Sequence, residues 1–351
     1  MRRTGIFALL LLITISFGIA GGCSNSNNNG NDGQEPGAEA PEFDLDLAIE
    51  LGELALVAYE QRIQCINGGK SAITVPAPFV LEEVIFQGVS SFFNSTCQDD
   101  DGVIPIAFVA TKEEGIYVSF RGTANFTDAI TDIAAIQLPY NFVPTSGKVS
   151  GGFQGVYTGT DDFPIESTIL SKVDELAMTG NFTTLYITGH SLGAALAFLA
   201  FPDFSQNTTN IDTVIMYNFA GPAAGDSAWV STYEGEYAPN RISFRIVNTN
   251  DLVPMLPPLG LDCTDFSYFH VDNKHEITFG VTLPPLPDFA DDNCNLLSIG
   301  GQLATYGINN QNGILEDHSM CTYYKTLCDM TSDPSSCAGG AVGCDDGNMN
   351  P

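Results

Sequence analysis

Apolar residues recur along most of the chain in two patterns. Residues 43–62 carry apolar side chains at helical spacing, which predicts an opening helix. Two short runs rich in β-branched and aromatic residues follow at 104–110 and 116–120, with Lys-Glu-Glu-Gly between them. Such runs on either side of a short polar connection predict a β-hairpin.

The middle of the chain alternates between strand-like and helix-like segments. A helical region is predicted over 163–178, and a strand followed by a helix over 184–201. Buried strands are predicted at 212–220 and 242–248. Alternating strands and helices predict an α/β fold with a mainly parallel sheet and helices on its flanks.

One short turn stands between the predicted strand and helix of 184–201. It reads Gly189-His190-Ser191-Leu192-Gly193. A serine on such a sharp turn stands clear of the sheet, and flanking glycines avoid a clash within the turn. The helix that begins there directs N–H groups and the positive end of its dipole at the site. In its strand–turn–helix context the motif predicts the nucleophile elbow of an α/β-hydrolase fold, with Ser191 as the nucleophile.

A serine hydroxyl needs a base to remove its proton, and the base needs a carboxylate to hold its tautomer. Of the four histidines, His190 lies too close to Ser191 in sequence for its ring to reach back. His270 and His275 lie in an alternating, strand-like segment, and His318 precedes a predicted C-terminal helix. The order Ser, Asp, His favours His318 as the base, with His270 as second choice.

Two aspartates are candidates for the acid. Asp251 follows the predicted strand at 242–248, and sites in α/β sheets gather at the carboxyl ends of strands. Asp226 follows the strand at 212–220 less directly. The alternative for either residue is a solvated turn aspartate, which is the usual place of an acid in so acidic a chain.

The two ends of the chain differ from its middle. A basic start, an apolar run over 6–19 and small residues up to 22 predict a signal peptide over 1–22. Small residues before Cys23 resemble the lipobox of bacterial lipoproteins, although position 20 is alanine instead of the usual leucine; the alternative is an ordinary signal peptide. The protein is therefore predicted to be exported, either anchored at the outer membrane or cell surface by a lipid on Cys23 or secreted. The predicted units are a signal peptide (1–22), a disordered polar tether (23–42), a catalytic domain (43–328) and a Cys/Gly-rich extension (329–351).

Nine cysteines support export. Without Cys23 eight remain, an even number suited to four disulfides in an oxidising compartment. Zinc binding is disfavoured, because the closest spacings leave six residues between cysteines instead of two to four. The simplest pairing joins neighbours: 65–97, 263–294, 321–328 and 337–344.

The charge balance narrows the possible partners. The 351 residues carry a formal net charge of −30. This excess opposes binding to nucleic acid or to anionic lipid by charge attraction.

Several motifs together resemble one family, the class 3 lipases, over roughly residues 45–327. The segment GHSLGAALA matches the family's elbow, and VSFRGTAN (118–125) resembles its oxyanion loop. FRIVNTNDLVPMLPP matches the segment that carries the acid, and EDHSMCTYY the segment that carries the base. FAGPAAGD and YFHVDNKHEITF resemble family segments whose Asp226 and His270 lie outside the triad. One departure is Ser150, which stands where the family often has a histidine.

The resemblance implies a lipase that hydrolyses acylglycerols through a Ser191-Asp251-His318 triad and an acyl-enzyme. The backbone N–H groups of Thr123 and Leu192 would form the oxyanion hole, and no metal or organic cofactor is needed. The expected partner is an ester substrate, typically at a lipid–water interface. The family has a lid beside the oxyanion loop, and residues 124–139 form a short amphipathic pattern there. The alternative for that segment is a helix packed permanently on the surface.

Three other functions fit less of the sequence. A feruloyl or short-chain esterase uses the same fold and triad, and a peptidase with this triad would need a specificity pocket that the sequence does not reveal. A binding protein without turnover would have no need of all three triad residues.

Overall fold

We describe the protein from a computed structural model. The described residues are 42–88, 96–100, 102–123, 136–144, 147–236, 240–256, 268–279, 314–333, 337 and 344. The predicted signal peptide, the tether up to residue 41, residues 124–135 of the predicted lid and the cysteine pair 263–294 lie outside them. The domain limits therefore remain predictions.

A seven-stranded sheet forms the centre of the molecule, with strand order β1-β2-β3-β6-β7-β8-β9. A separate two-stranded ribbon pairs β4 with β5. The strands are β1 (Val80–Gly88), β2 (Val103–Lys112), β3 (Gly115–Phe120), β4 (Gln137–Pro139), β5 (Lys148–Ser150), β6 (Thr184–His190), β7 (Thr213–Phe219), β8 (Arg241–Asn248) and β9 (Lys274–Ile277).

Helices cover both faces of this sheet. The α-helices are α1 (Leu45–Gly68), α2 (Gly151–Thr158), α3 (Glu166–Thr179), α4 (Leu192–Asn207), α5 (Ser227–Gly235), α6 (Ile314–His318) and α7 (Met320–Met330). None of the helices in the described ranges is both long enough and apolar enough to cross a bilayer.

Within this described sheet, β2 alone runs opposite to the other strands. β1, β2 and β3 pair antiparallel, whereas β3, β6, β7, β8 and β9 are parallel. The predicted α/β fold with a mainly parallel sheet is confirmed. The carboxyl ends of β3, β6 and β8 therefore meet at one edge, and the segments that follow these strands carry Thr123, Ser191 and Asp251.

Successive side chains of the central strands point to opposite faces of the sheet and pack in two separate hydrophobic cores. On β2, Val109 packs with residues of α2, α3 and α4, whereas Phe108 and Ala110 pack with residues of α1 and α7. Strands that are buried on both faces read as continuous apolar runs. This explains why β6 and β7 were recognisable from their composition.

Most of the predicted elements are present, with shifted ends. The hairpin of β2 and β3, the strand–turn–helix around Ser191, and strands β7 and β8 are confirmed. The opening helix extends six residues beyond its predicted end, to Gly68. The β4–β5 ribbon, strand β1 and helices α2 and α5 were not predicted; β1 has two register irregularities that break its alternation.

The predicted disulfide pairing is right for one pair and wrong for two. Cys65 is bonded to Cys97, as predicted. In the C-terminal region Cys321 is bonded to Cys344 and Cys328 to Cys337, with Cα–Cα distances of 5.7 and 5.9 Å. Cys321 and Cys328 both lie on α7, where seven residues span about 10 Å of helix. That is beyond the roughly 7 Å reach of a disulfide, so the predicted 321–328 pair is excluded.

Candidate active site

Ser191 occupies the turn between β6 and α4 in a backbone conformation that L-residues rarely adopt. Its φ is 60° and its ψ is −121°. Its N–H donates to the carbonyl of Phe219 on the neighbouring strand, at 3.0 Å, which ties the turn to the sheet. Such strain is typical of functional sites. The side chain is 1% exposed, and its hydroxyl has no hydrogen-bond partner among the described residues.

The two glycines of the motif are required by close packing. A Cβ at Gly189 would collide with the backbone of Gly193, and a Cβ at Gly193 would collide with the carbonyl of Phe120. The segment that leaves β3 therefore lies directly against the first turn of α4. Leu192 is the first residue of α4, so its N–H has no acceptor within the helix.

The segment after β3 is held by a buried arginine. Arg121 donates from Nε to the carbonyl of Pro105 at 2.7 Å and from its terminal nitrogen to the carbonyl of Gly122 at 2.6 Å. Thr123 follows in this fixed loop and is 7% exposed. Its hydroxyl has no hydrogen-bond partner in the described ranges. The loop thus directs a buried threonine to the same sheet edge as Ser191.

Asp251 and His318 are hydrogen-bonded. His318 Nδ1 and Asp251 Oδ2 are 2.8 Å apart, and both side chains are almost fully buried. An ionised carboxylate can only accept, so Nδ1 carries the ring proton and Nε2 carries the lone pair that can take up another. This is the tautomer that a general base requires.

Further contacts fix the carboxylate of Asp251. Its Oδ1 accepts from the N–H of Val253 at 2.9 Å, and its Oδ2 accepts from the hydroxyl of Tyr323 at 2.8 Å. The same hydroxyl accepts from the N–H of Asn248 at 2.8 Å, and Asn248 also donates from Nδ2 to the carbonyl of Asp317 at 2.9 Å. The end of β8 is thereby joined to the α6–α7 junction.

The imidazole of His190 lies beside that of His318. Its Nδ1 is 2.9 Å from the hydroxyl of Tyr59, and its Nε2 is 2.8 Å from the carbonyl oxygen of His318. The two imidazole centroids are 4.7 Å apart. Burial and then the neighbouring His318 hold the pKa of His190 well below 6.5, so its ring is neutral.

The second-choice residues have other contacts. Asp226 caps α5 by accepting from the N–H of Trp229 at 2.8 Å. His270 is hydrogen-bonded to the carbonyl of Pro254, and burial lowers its pKa to about 3. His275 stacks on the ring of Phe43. Ser150, the departure from the family motif, caps α2 by accepting from the N–H of Phe153.

Sequence reasoning did not find Tyr59, Tyr323 and Asn248. Tyr59 and Tyr323 lie in helical patterns that read as core, and only the fold brings them to the site. Asn248 had a usable signal, because it ends a predicted strand at the carboxyl edge. In the described ranges there is no group of three or more His, Cys, Asp or Glu side chains that could hold a metal ion.

Comparison with known proteins covers the central part of the chain. The family model for class 3 lipases matches residues 117–261, a range that includes Thr123, Ser191, Leu192 and Asp251 but not His318. A lipase of Rhizomucor miehei is 31% identical over 170 residues, which are 48% of this chain and 43% of that protein. A secreted mono- and diacylglycerol lipase of Malassezia globosa is 30% identical over 167 residues, 45% of this chain and 50% of that protein. The chain thus spans half or less of these two relatives.

Two solved structures show the same fold. Lip2 lipase of Yarrowia lipolytica superposes with a TM-score of 0.50 at 19% identity, over 71% of this chain and 85% of that one. A mutant form of MDLA from Penicillium cyclopium gives 0.50 at 20% identity, over 67% and 80%. The chain therefore has the α/β-hydrolase fold, and its residues 117–261 match the family model of the class 3 lipases.

Proposed function

We propose that this protein is a serine carboxylic-ester hydrolase that cleaves acylglycerols, which is the reaction of a lipase. The observation that carries the proposal is the hydrogen bond of 2.8 Å between His318 Nδ1 and Asp251 Oδ2. The carbonyl oxygen of His318 is in turn 2.8 Å from the ring of His190, the residue directly before Ser191. His318 lies outside the family match, so its assignment rests on this geometry. The acylglycerol substrate rests on the relatives.

The proposed reaction begins with attack of Ser191 Oγ on the ester carbonyl carbon. His318 takes the hydroxyl proton on Nε2, and Asp251 stabilises the imidazolium that forms. When the carbon–oxygen bond of the ester breaks, His318 returns the proton to the leaving alcohol. Water then attacks the acyl-enzyme with His318 again as base, which releases the fatty acid and restores Ser191.

The oxyanion of each tetrahedral intermediate would be bound by backbone donors. We assign the N–H groups of Thr123 and Leu192 to this role, because their loop and helix meet at Gly193. The hydroxyl of Thr123 can add a third hydrogen bond. Removing one such donor costs about 2.7–4 kcal/mol in a well-studied hydrolase, so the hole is expected to contribute much of the rate.

We also propose that the protein works outside the cytoplasm, on esters at a lipid–water interface. Three disulfides among the described residues suit an oxidising compartment, and one relative is named as secreted. Acylation of Cys23 remains a prediction from the sequence. The mass of the mature N-terminal peptide distinguishes an acylated Cys23 from an ordinary signal-peptide cleavage.

Two variants test the nucleophile. Ser191→Ala should abolish hydrolysis of emulsified triacylglycerol and labelling by a fluorophosphonate, whereas Ser231→Ala, at an exposed position on α5, should leave both unchanged. Peptide mapping should place the label on residue 191. Full activity of purified Ser191→Ala would overturn the proposal, and a wild-type protein that neither turns over esters nor takes up the label would support a binding protein instead.

Substrate profiling separates a lipase from the related esterases. Rates on p-nitrophenyl esters from acetate to palmitate, on emulsified trioleoylglycerol and on methyl ferulate should favour long chains and the emulsion. A preference for acetate, butyrate or ferulate, with no gain on the emulsion, would replace the lipase by a short-chain or feruloyl esterase.

A further inference from the structure

His190 is a buried imidazole that the proposed mechanism does not use. It is 3% exposed and directly precedes Ser191, yet both of its ring nitrogens point away from the serine, to residues 131 and 128 positions distant in sequence. A residue at an elbow could satisfy its ring locally. This one instead joins an N-terminal helix to the C-terminal base.

We propose that Tyr59 and His190 are positioning residues that fix the base, the elbow and the oxyanion loop relative to one another. This inference rests on the proposed function. Tyr59 donates its hydroxyl proton to His190 Nδ1, and His190 donates from Nε2 to the carbonyl oxygen of His318. The second bond holds the main chain of the base itself.

The donor and the acceptor of both hydrogen bonds follow from the group at the far end of the second bond, the carbonyl oxygen of His318. The carbonyl oxygen of His318 can only accept, so Nε2 of His190 must carry the ring proton. Nδ1 of the neutral ring is then an acceptor, and the hydroxyl of Tyr59 is its donor. A neutral ring at this place also avoids a second positive charge next to the imidazolium that His318 becomes during turnover, since the two ring centroids are only 4.7 Å apart.

The oxyanion loop is held at the same point. A side chain at Gly122 would collide with the hydroxyl of Tyr59 and with the carbonyl of His190. Residue 122 immediately precedes Thr123, so the backbone donor assigned to the oxyanion is one residue from this contact. Three segments that are far apart in sequence therefore meet around two side chains.

Catalysis is sensitive to such placement, because a shift of about 1 Å at the reacting groups can cost roughly 100-fold in rate. Tyr59→Phe removes the first hydrogen bond at nearly constant volume. His190→Asn keeps a polar atom near Nδ1 and loses the bond to His318, whereas His190→Gln can place its amide N–H near Nε2 and keep it.

The experiment measures kcat and KM for these three variants on a soluble p-nitrophenyl ester, with Tyr140→Phe as the matched control. Tyr140 is a buried tyrosine whose hydroxyl donates to the carbonyl of Leu199 at 2.6 Å, outside the site. We expect His190→Asn and Tyr59→Phe to lower kcat by about 10- to 100-fold with little change in KM. His190→Gln should recover a large part of the loss, and Tyr140→Phe should lower only the melting temperature.

Two results would overturn the inference. One is a kcat within twofold of wild type for both Tyr59→Phe and His190→Asn; the other is equal kcat for His190→Asn and His190→Gln when both are folded by circular dichroism. A failure of the proposed function would show in different measurements, namely an inactive wild-type protein or an active Ser191→Ala variant. If one histidine variant does not fold, Tyr59→Phe against Tyr140→Phe decides the matter.

Discussion

Ser191 carries a conformational cost that its proposed role as nucleophile would explain. A non-glycine residue in a sparsely populated backbone region costs about 1–3 kcal/mol, and here φ is 60° with a buried hydroxyl that lacks a hydrogen-bond partner among the described residues. Neither feature stabilises the fold. Both are expected of a nucleophile that must stand clear of the sheet and receive substrate.

Replacing this serine by glycine should therefore separate stability from activity. Ser191→Gly relieves the positive φ and removes the buried hydroxyl, so we expect no hydrolysis but a melting temperature higher by about 2–4 °C, equivalent to roughly 1 kcal/mol. Differential scanning calorimetry measures the change. Ser231→Gly on helix α5 is the control and should lower the melting temperature, because glycine within a helix is unfavourable. A melting temperature for Ser191→Gly at or below that of wild type would show that the turn is not strained.

Two adjacent tyrosines of α7 offer a second test at the same scale. The hydroxyl of Tyr323 bridges Asn248 N–H and Asp251 Oδ2, whereas the buried hydroxyl of Tyr324 has no hydrogen-bond partner in the described ranges. Tyr323→Phe leaves a buried N–H without an acceptor, so it should lower the free energy of unfolding by about 1–3 kcal/mol in urea titrations and also reduce kcat. Tyr324→Phe should be neutral or stabilising. Equal losses in the two variants would contradict this account.

The site was only partly predictable from single residues. The proposed triad of Ser191, Asp251 and His318 could be named from the sequence, because the spacing of a motif and the end of a strand are local features of the chain. Tyr59 and Tyr323 are not, because their roles depend on hydroxyl contacts with residues 131 and 72 positions away. No local pattern distinguishes Tyr323 from Tyr324, which lies beside it on the same helix with a different environment.

At the scale of elements, the pattern of apolar residues along the chain predicted the central parallel strands well but missed the edge strand β1. β6 and β7 are buried on both faces and form continuous apolar runs. β1 lies at the antiparallel edge, begins at Val80, which is 57% exposed, and contains two irregularities. The wrong cysteine pairs could have been avoided from the sequence. A C-terminal helix over α7 was predicted, and the rise per residue of a helix excludes a bond between Cys321 and Cys328.

Two disulfides connect Cys337 and Cys344 to α7, the helix whose Tyr323 is hydrogen-bonded to Asp251. Cys321 lies on α7 two residues before Tyr323, and its partner Cys344 is buried in the core of that face. Lys325 adds a hydrogen bond of 3.1 Å to the carbonyl of Cys344. These contacts tie Cys344 to α7 and thereby brace the helix that carries Tyr323.

Removing this brace should affect both stability and turnover. We expect the double variant Cys321→Ser with Cys344→Ser to lose about 2–4 kcal/mol of unfolding free energy. Its kcat, measured at temperatures below the melting range, should also be lower than that of wild type, because α7 positions Tyr323 against Asp251. The control is Cys65→Ser with Cys97→Ser, which removes a disulfide away from the α6–α7 junction and should lower stability with a smaller effect on kcat. Unfolding in urea and steady-state kinetics, both well below the melting temperature, would measure the two effects; a kcat loss equal in the two double variants would contradict a special role of the extension.

At the scale of the whole molecule, acidic groups dominate, with 42 Asp and Glu against 12 Lys and Arg. Some of these carboxyl groups are buried in the folded protein. Asp203 is fully buried on α4, where it accepts from the hydroxyl of Tyr157 at 2.7 Å and from Asn207 at 2.7 Å. Burial raises the pKa of Asp203 despite these hydrogen bonds. A carboxyl group whose pKa is raised by burial stabilises the fold less as the pH rises, which is the opposite of a carboxyl group whose pKa is lowered by a salt bridge.

Glu166, at the start of α3, is the clearest case. Burial and then the charge of Asp203 raise its pKa from 4.5 to about 7. Between these two values the folded state holds a proton that the unfolded state has released, so the contribution of Glu166 is fully present below pH 4.5 and is lost as the pH rises through about 7. Glu166→Gln removes the titration and should therefore raise the melting temperature at about pH 8 while changing it little at about pH 4.5.

The size of this effect is limited because Glu166 is only half-buried. After allowance for solvent screening we expect about 1 kcal/mol, or a rise of roughly 2–4 °C at about pH 8. Glu175→Gln on the same helix is the matched control; that side chain is 60% exposed and paired with Lys172, so its removal should lower the melting temperature slightly at the same pH. Each variant is compared with wild type at the same pH, which cancels the repulsion of the remaining charges. If Glu166→Gln were no more stable than wild type under these alkaline conditions, the carboxylate of Glu166 would not be destabilised by burial and Asp203.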